Sequence, residues 1–217
     1  DGTYTKESLM KFEAIDFGIK LSRKPEEEIN ESLASLKSLI GLKAAKGQVE
    51  SIVNSMRVRQ EMINRGISTE NSDLGTMHML FRGNPGTGKT TVARIIGGIY
   101  KSLGILKRGD VFVECTRGEL VGKYQGHTAE KTKEVVKKAV GGILFVDEAY
   151  SLYQGENDSF GREAIDTLIA EMENKRDRLM VILAGYKDDM DNLLEANSGL
   201  KSRKNTVIDF EDYSLEE

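Results

Sequence analysis

Five short stretches of the chain are rich in apolar residues, and they are separated by longer segments in which polar residues dominate. These stretches are residues 77–81, 110–115, 142–147, 179–184 and 206–210. Apolar runs without alternation are typical of strands that are buried on both faces, as in parallel sheets. The pattern therefore predicts five strands, of which those at 77–81 and 142–147 are expected to be buried.

Helical spacing of apolar residues occupies the intervals between these strands. Helices are predicted at 26–39, 91–103, 129–139 and 161–174. A further, longer helix is predicted to end near Arg65, whereas residues 1–25 fit no single period and residues 68–75 indicate a polar loop. Strands that alternate with helices favour an α/β fold with a doubly wound parallel sheet.

Composition and charge narrow the class of protein. The 217 residues carry a formal net charge of −4 with a pI near 5.5, which argues against a nucleic-acid partner. Cys115 is the only cysteine, which excludes a disulfide framework and a thiolate metal cluster. There is no membrane-spanning apolar stretch or signal peptide, and the chain begins at Asp1. We therefore expect a fragment of a cytoplasmic protein without a membrane partner.

One glycine-rich segment carries the clearest chemical signal in the chain. Residues 83–90 read GNPGTGKT and match the phosphate-binding pattern G-x-x-x-x-G-K-[ST]. Gly86 and Gly88 allow the backbone N–H groups to converge on a phosphate, Lys89 brings a positive charge, and the Thr90 hydroxyl is a ligand for Mg²⁺. The segment lies between a predicted strand and a predicted helix, and the helix N-terminus also favours an anion.

A second motif ends the strand predicted at 142–147. Asp147 and Glu148 follow its apolar residues directly, and ligands of parallel α/β sheets bind beyond the carboxyl ends of the strands. Asp147 is expected to hold Mg²⁺, and Glu148 is expected to orient and deprotonate an attacking water. Together with the phosphate-binding segment, these carboxylates predict Mg²⁺-dependent hydrolysis of ATP or GTP.

Five stretches of the chain resemble the AAA+ ATPases of the CbbX and stage V sporulation protein K type. They are residues 83–94, 120–129, 141–150, 162–168 and 183–186. The resemblance implies the three-layer P-loop NTPase fold, in which a parallel five-stranded sheet is flanked by helices. It also implies an ATPase large subdomain at 39–217 that follows an N-terminal helical or linker segment at 1–38. Because the chain stops at Glu217, the C-terminal helical lid of the family is expected to be absent.

The resemblance also implies roles for residues around the nucleotide. Gly41 lies where the family contacts adenine through backbone groups, which favours ATP over GTP, although a hinge between two helices is an alternative for this position. Tyr186 lies where the family senses the γ-phosphate, and Arg203 matches the arginine finger that enters the neighbouring subunit. A solvated surface charge is the alternative for Arg203. The segment that holds ATP and Mg²⁺ comprises Pro85, Gly86, Thr87, Gly88, Lys89, Thr90 and Thr91.

The resemblance further implies a ring, expected to be a hexamer, that remodels a protein partner. Tyr124 lies in the first pore loop of the family, where a ring of aromatic side chains grips a polypeptide. Gln125 replaces the usual apolar residue, which predicts a weaker grip, and residues 154–160 match a second pore-facing loop. A nucleotide-dependent assembly scaffold and a nucleic-acid-directed machine are the alternatives. The family serves Rubisco rescue, spore formation and secretion, and the sequence does not separate these processes.

Overall fold

A computed structural model describes residues 25–67, 77–124, 126–202 and 206–212. Among these residues, the strands are β1 (Met79–Arg82), β2 (Phe112–Cys115), β3 (Ile143–Val146), β4 (Met180–Gly185) and β5 (Thr206–Asp209). The α-helices are α1 (Pro25–Ser38), α2 (Lys43–Asn64), α3 (Lys89–Ser102), α4 (Arg117–Leu120), α5 (His127–Ala139), α6 (Ser159–Asn174), α7 (Lys187–Ala196) and α8 (Ser198–Ser202). A 3-10 helix at Ala149–Leu152 follows β3.

All five strands run parallel in one sheet of order β2-β3-β4-β1-β5. The register pairs Met79 of β1 with Ile182 of β4 and Thr206 of β5, and Ile143 of β3 with Met180 of β4. The predicted parallel five-stranded α/β fold is therefore confirmed. Because β4 lies between β1 and β3, the segments that follow these two strands face each other across its end.

Alternate residues of the strands divide the core into two layers. Phe81 of β1 packs with α1, α2 and α3 on one face, whereas its neighbour Leu80 packs with α5, α6 and α7 on the other. Both side chains are fully buried. Helices therefore cover both faces of the sheet, which explains why the inner strands β1, β3 and β4 are almost entirely apolar.

Helix α1 is part of this core. Its residues Ile29 and Leu36 are buried together with Ile96 and Ile99 of α3. Its first turn carries three glutamates, which is a favourable charge for a helix N-terminus. No helix in the described part of the chain is long and apolar enough to cross a membrane.

Candidate nucleotide-binding site

The glycine-rich loop begins where β1 ends and is fixed between two neighbouring strands. The Gly83 N–H donates to the Gly185 carbonyl at 3.0 Å, at the end of β4. A Cβ atom at position 83 would lie only 2.5 Å from the carbonyl oxygen of Phe210, just beyond β5. The first residue of the loop must therefore be glycine for the backbone to pass at this point.

The turn of the loop depends on two further glycines. Gly86 and Gly88 have φ angles of 77° and 88°, which residues other than glycine rarely adopt. The Thr87 hydroxyl donates to the Asn84 carbonyl at 2.7 Å and holds the loop in this shape. A Cβ atom at Gly86 would have nothing within 4 Å, and Gly86 lines an open cleft.

Lys89 is the first residue of α3, and its side chain is folded into the loop. Its Nζ donates to the carbonyls of Gly83 at 2.8 Å and Asn84 at 2.7 Å. Burial lowers the pKa of Lys89, and the carboxylates of Asp147 and Asp212 oppose that effect. A phosphate that entered the loop would offer the ammonium group stronger, charge-assisted acceptors than these two carbonyls.

The two carboxylates lie at the end of β3. The Asp147 N–H donates to the Cys115 carbonyl of β2 at 2.8 Å, and the Glu148 N–H donates to Asp147 Oδ1 at 3.0 Å. Glu148 has a φ of 48°, in the left-handed region, although it is not glycine. A residue held in that conformation costs about 1–3 kcal/mol, and such residues cluster at functional sites.

The loop and the carboxylates line one cleft of about 350 Å³. Its walls are Gly83, Pro85, Gly86, Gly88, Lys89, Thr90, Thr91, Asp147, Glu148, Tyr150, Gly185 and Tyr186. The rings of Tyr150 and Tyr186 lie 5.7 Å apart at one side. The cleft therefore combines an anion cradle, a lysine and two carboxylates at the carboxyl ends of β1, β3 and β4.

A second cleft of about 540 Å³ lies on the other side of the loop and shares three residues with the first. Its walls are Ser38, Leu39, Ile40, Leu42, Gly86, Gly88 and Thr91. Gly41 and Leu42 have φ angles of 61° and 55°, so the chain turns sharply between α1 and α2 beside this cleft. Its largely apolar walls suit a flat, apolar group joined to phosphates in the first cleft.

Comparison with known proteins assigns the family. Residues 79–212 match the family described as "ATPase family associated with various cellular activities (AAA)". The chain belongs to this AAA family. The matched region begins with β1 and contains every residue that lines the first cleft.

Relatives agree with the AAA assignment. The chain is 51% identical over 191 residues to "Protein CbxX, chromosomal" of Cupriavidus necator, which covers 87% of this chain and 59% of the relative. It is 48% identical over 182 residues to "Protein CbbX" of Cereibacter sphaeroides, with coverage of 83% and 58%. For "Stage V sporulation protein K" of Bacillus subtilis the identity is 46% over 180 residues, with coverage of 83% and 55%. The resemblance to this family is confirmed, and the chain spans somewhat more than half the length of these relatives.

Most residues predicted to bind nucleotide in this AAA domain lie together. All of them line the first cleft except Thr87, which braces the loop, and Gly41, whose neighbours line the second cleft. Arg203 and Gln125 lie outside the described residues. Tyr124 lies away from the nucleotide clefts, is 69% exposed, and has its ring 5.7 Å from that of His127.

Four residues of this AAA site were not assigned a role from the sequence, namely Asn84, Tyr150, Gly185 and Asp212. Tyr150 and Gly185 line the cleft, and Asn84 donates to the Asp212 carboxylate at 2.7 and 2.9 Å. Tyr150 lies only two residues after Glu148, and this closeness in the sequence could have indicated that it belongs to the site. The contact between Asn84 and Asp212 joins positions 128 residues apart, and nothing in the sequence indicates it.

The oxygen donors of the AAA site also suit a magnesium ion. Among the described residues, no group of three or more His, Cys, Asp or Glu side chains could hold a metal by itself. Thr90 and Asp147 nevertheless line the same cleft and offer two oxygen donors. Mg²⁺ is commonly held by one or two protein oxygens, with phosphate and water completing its shell. The residues present therefore suit a metal that arrives with a nucleotide.

Proposed function

We propose that this AAA protein binds ATP with Mg²⁺ in the first cleft and hydrolyses it. The observation that carries the proposal is that Lys89, Asp147 and Glu148 line one cleft around an open glycine turn. The second, largely apolar cleft on the other side of the loop supports a nucleotide rather than a simple phosphate. Gly41, at the turn beside that cleft, would bring backbone groups to adenine.

Each residue has a role that follows from its chemistry. Lys89 would leave the carbonyls of the loop and neutralise the β- and γ-phosphates, which the backbone N–H groups of the loop also contact. Thr90 and Asp147 would hold Mg²⁺, which supplies charge neutralisation when it is bound. Glu148 would orient the attacking water and accept its proton. Tyr186, at the rim, would contact the γ-phosphate.

The remaining nucleotide contacts belong to the same loop. Pro85 and Gly86 would pass beneath the phosphates, with Thr87 keeping the turn closed through its hydrogen bond to Asn84. Gly88 and Thr91 would present the N-terminal end of α3, where backbone N–H groups have no partner inside the helix.

We further propose that the protein forms a ring, a hexamer, that remodels a protein partner. The exposure of Tyr124 supports this part of the proposal, because an aromatic side chain that is 69% exposed is available to grip another chain. Arg203 would enter the cleft of the neighbouring subunit and stabilise charge on the transferred phosphoryl group.

The proposed ATPase subdomain comprises residues 39–217, with residues 1–38 as an N-terminal segment whose helix α1 packs onto it. A cytoplasmic location is proposed on the grounds of composition.

The test is ATP binding by a Lys89→Ala variant. Titration with a fluorescent ATP analogue should show affinity reduced by about 10- to 150-fold, since hydrogen bonds to charged groups contribute about 1.5–3 kcal/mol. Lys101→Ala, which removes a lysine near the other end of α3, is the matched control and should bind like the parent. Equal affinities for all three proteins would show that nucleotide does not bind at this loop.

A further inference from the structure

Arg117, the first residue of α4, makes four side-chain hydrogen bonds outside the nucleotide clefts. Its guanidinium group pairs with both oxygens of Asp158, at 2.6 and 3.0 Å. The same Nη1 also donates to the carbonyls of Ser151 at 2.9 Å and Leu152 at 3.3 Å. The two side chains are only 22% and 10% exposed, so water competes little for these bonds.

The carbonyls that Arg117 contacts belong to the segment that directly follows Asp147 and Glu148 in the chain. Glu148 is followed directly by the 3-10 helix that contains Tyr150, Ser151 and Leu152. Tyr150 lines the nucleotide cleft, and Ser151 N–H donates to the Glu148 carbonyl at 2.8 Å. A change in the backbone at Glu148 therefore moves the carbonyls that Arg117 holds.

On the other side, α4 leads into the loop of Tyr124. The Lys131 ammonium of α5 bonds to the Gly118 carbonyl at 2.6 Å and the Val121 carbonyl at 2.9 Å, at the two ends of this short helix. The Gly122 N–H donates to the Thr128 hydroxyl at 3.1 Å. These bonds tie both α4 and the base of the loop to α5, and α4 continues directly into the loop.

We propose that Arg117 is a positioning residue that couples the state of the nucleotide cleft to the position of the Tyr124 loop. This inference rests on the proposed function, because it assumes that nucleotide binds beside Glu148. Binding there would shift the 3-10 helix, and Arg117 would carry α4 and the loop with it. Asp158, at the N-terminus of α6, keeps the guanidinium oriented toward the carbonyls through its two-point contact.

A purely structural ion pair is the competing explanation, and the two differ in what they predict. A structural pair affects unfolding and leaves the response of the loop to nucleotide intact in any variant that folds. A coupling residue changes the response of the loop while nucleotide affinity stays the same, because it contacts neither cleft. The test therefore needs a reporter on the loop itself.

The chain contains no tryptophan, so a single introduced tryptophan can serve as that reporter. Tyr124→Trp places a single tryptophan on the loop, and its emission and acrylamide quenching are measured without nucleotide, with Mg·ADP, and with a slowly hydrolysed Mg·ATP analogue. We expect the ATP analogue to change quenching in this background. Adding Arg117→Gln should reduce that change at least five-fold, with analogue affinity within three-fold of the background.

Arg162→Gln, made in the same background, is the matched control. Arg162 lies in the first turn of α6, close to Asp158. Its side chain donates to the Glu156 carbonyl at 2.8 Å, which belongs neither to α4 nor to the 3-10 helix. It should leave the tryptophan response intact. If Arg117→Gln does not fold, as judged by circular dichroism, Arg117→Lys takes its place, since lysine keeps the charge but lacks the planar fork that pairs with both oxygens of Asp158.

The outcomes separate this inference from the proposed function. Nucleotide binding with an undiminished tryptophan response in the Arg117 variants overturns the inference alone, as does a loop that never responds in the reporter background. Failure of the reporter background to bind nucleotide overturns the proposed function and the inference together. A response lost in the Arg117 variant and kept in the Arg162 variant supports the coupling role.

Discussion

At the scale of single residues, charge around Lys89 sets how readily a phosphate enters the loop. The ammonium group is buried among carbonyls that it must leave, and two carboxylates act on it from outside the loop. One of them, Asp147, is proposed to hold Mg²⁺. The other, Asp212, has no proposed ligand and instead accepts from Asn84 at the rim.

Asp212→Asn should therefore strengthen ATP binding. Removing this negative charge relieves repulsion of the triphosphate, and because the side chain is exposed we expect a gain of about two- to five-fold, less than about 1 kcal/mol. Asp110→Asn, which makes the same charge change beside Lys101, is the control for net charge. Titrations at low and physiological salt that show no difference between the two variants would contradict the role of Asp212.

The residues of the site could be predicted from the sequence where they belong to a motif whose residue types imply a chemical role. Lys89, Thr90, Asp147 and Glu148 are such cases, and all of them line the first cleft. Asp212 was not predictable, because its place beside the loop depends on how β5 pairs with β1.

At the scale of elements, the inner strands β1, β3 and β4 could be predicted because burial on both faces leaves a nearly continuous apolar run. The exposed helix α7 was missed, since only Met190 and Leu193 of its ten residues are buried and most of the others are polar. The short helix α4 was also missed, although Thr116 and Glu119 form a capping box that the pattern T-x-x-E could have indicated.

Arg82 joins three elements beside the site. It pairs with both oxygens of Asp209 on β5, at 2.7 and 2.9 Å, and with Asp191 on α7 at 2.6 Å. The hydrogen bond to Asp209 is the main factor that raises the pKa of Arg82, with burial acting against it. This arginine therefore holds α7, and with it the position of Tyr186, against the sheet.

Arg82→Leu should lower the free energy of unfolding by about 1–3 kcal/mol, because two carboxylates lose their shared partner at a partly buried site. Arg65→Leu breaks the exposed pair with Glu61 and should cost less than about 1 kcal/mol. Urea denaturation of both variants measures the difference. Equal losses would mean that Arg82 acts as an ordinary surface charge.

At the scale of the whole molecule, strand order builds the site. The sequence predicts parallel strands and helices on both faces, but the order β2-β3-β4-β1-β5 emerges only from the structure. That order brings the phosphate-binding loop after β1 and the carboxylates after β3 to opposite sides of Gly185 at the end of β4. Contacts between distant parts of the chain determine it, and local patterns do not encode them.

Assembly gives a prediction at the same scale. If Arg203 completes the site of a neighbouring subunit, ATP turnover per protomer should rise with protein concentration and fall by about 10³-fold in Arg203→Ala. Lys201→Ala, in the short helix α8, is the control and should keep the concentration dependence. Turnover per protomer that is independent of concentration and of Arg203 would mean that each subunit hydrolyses ATP alone.

The most direct test of the central claim is phosphate release by the parent and by Glu148→Gln at saturating Mg·ATP, with ATP binding measured on the same samples. We expect Glu148→Gln to bind ATP within about three-fold of the parent and to hydrolyse it about 10²-fold or more slowly, the usual contribution of a general base. Glu61→Gln, on the exposed surface of α2, should match the parent in both measurements. Hydrolysis by Glu148→Gln at the parent rate would contradict the account.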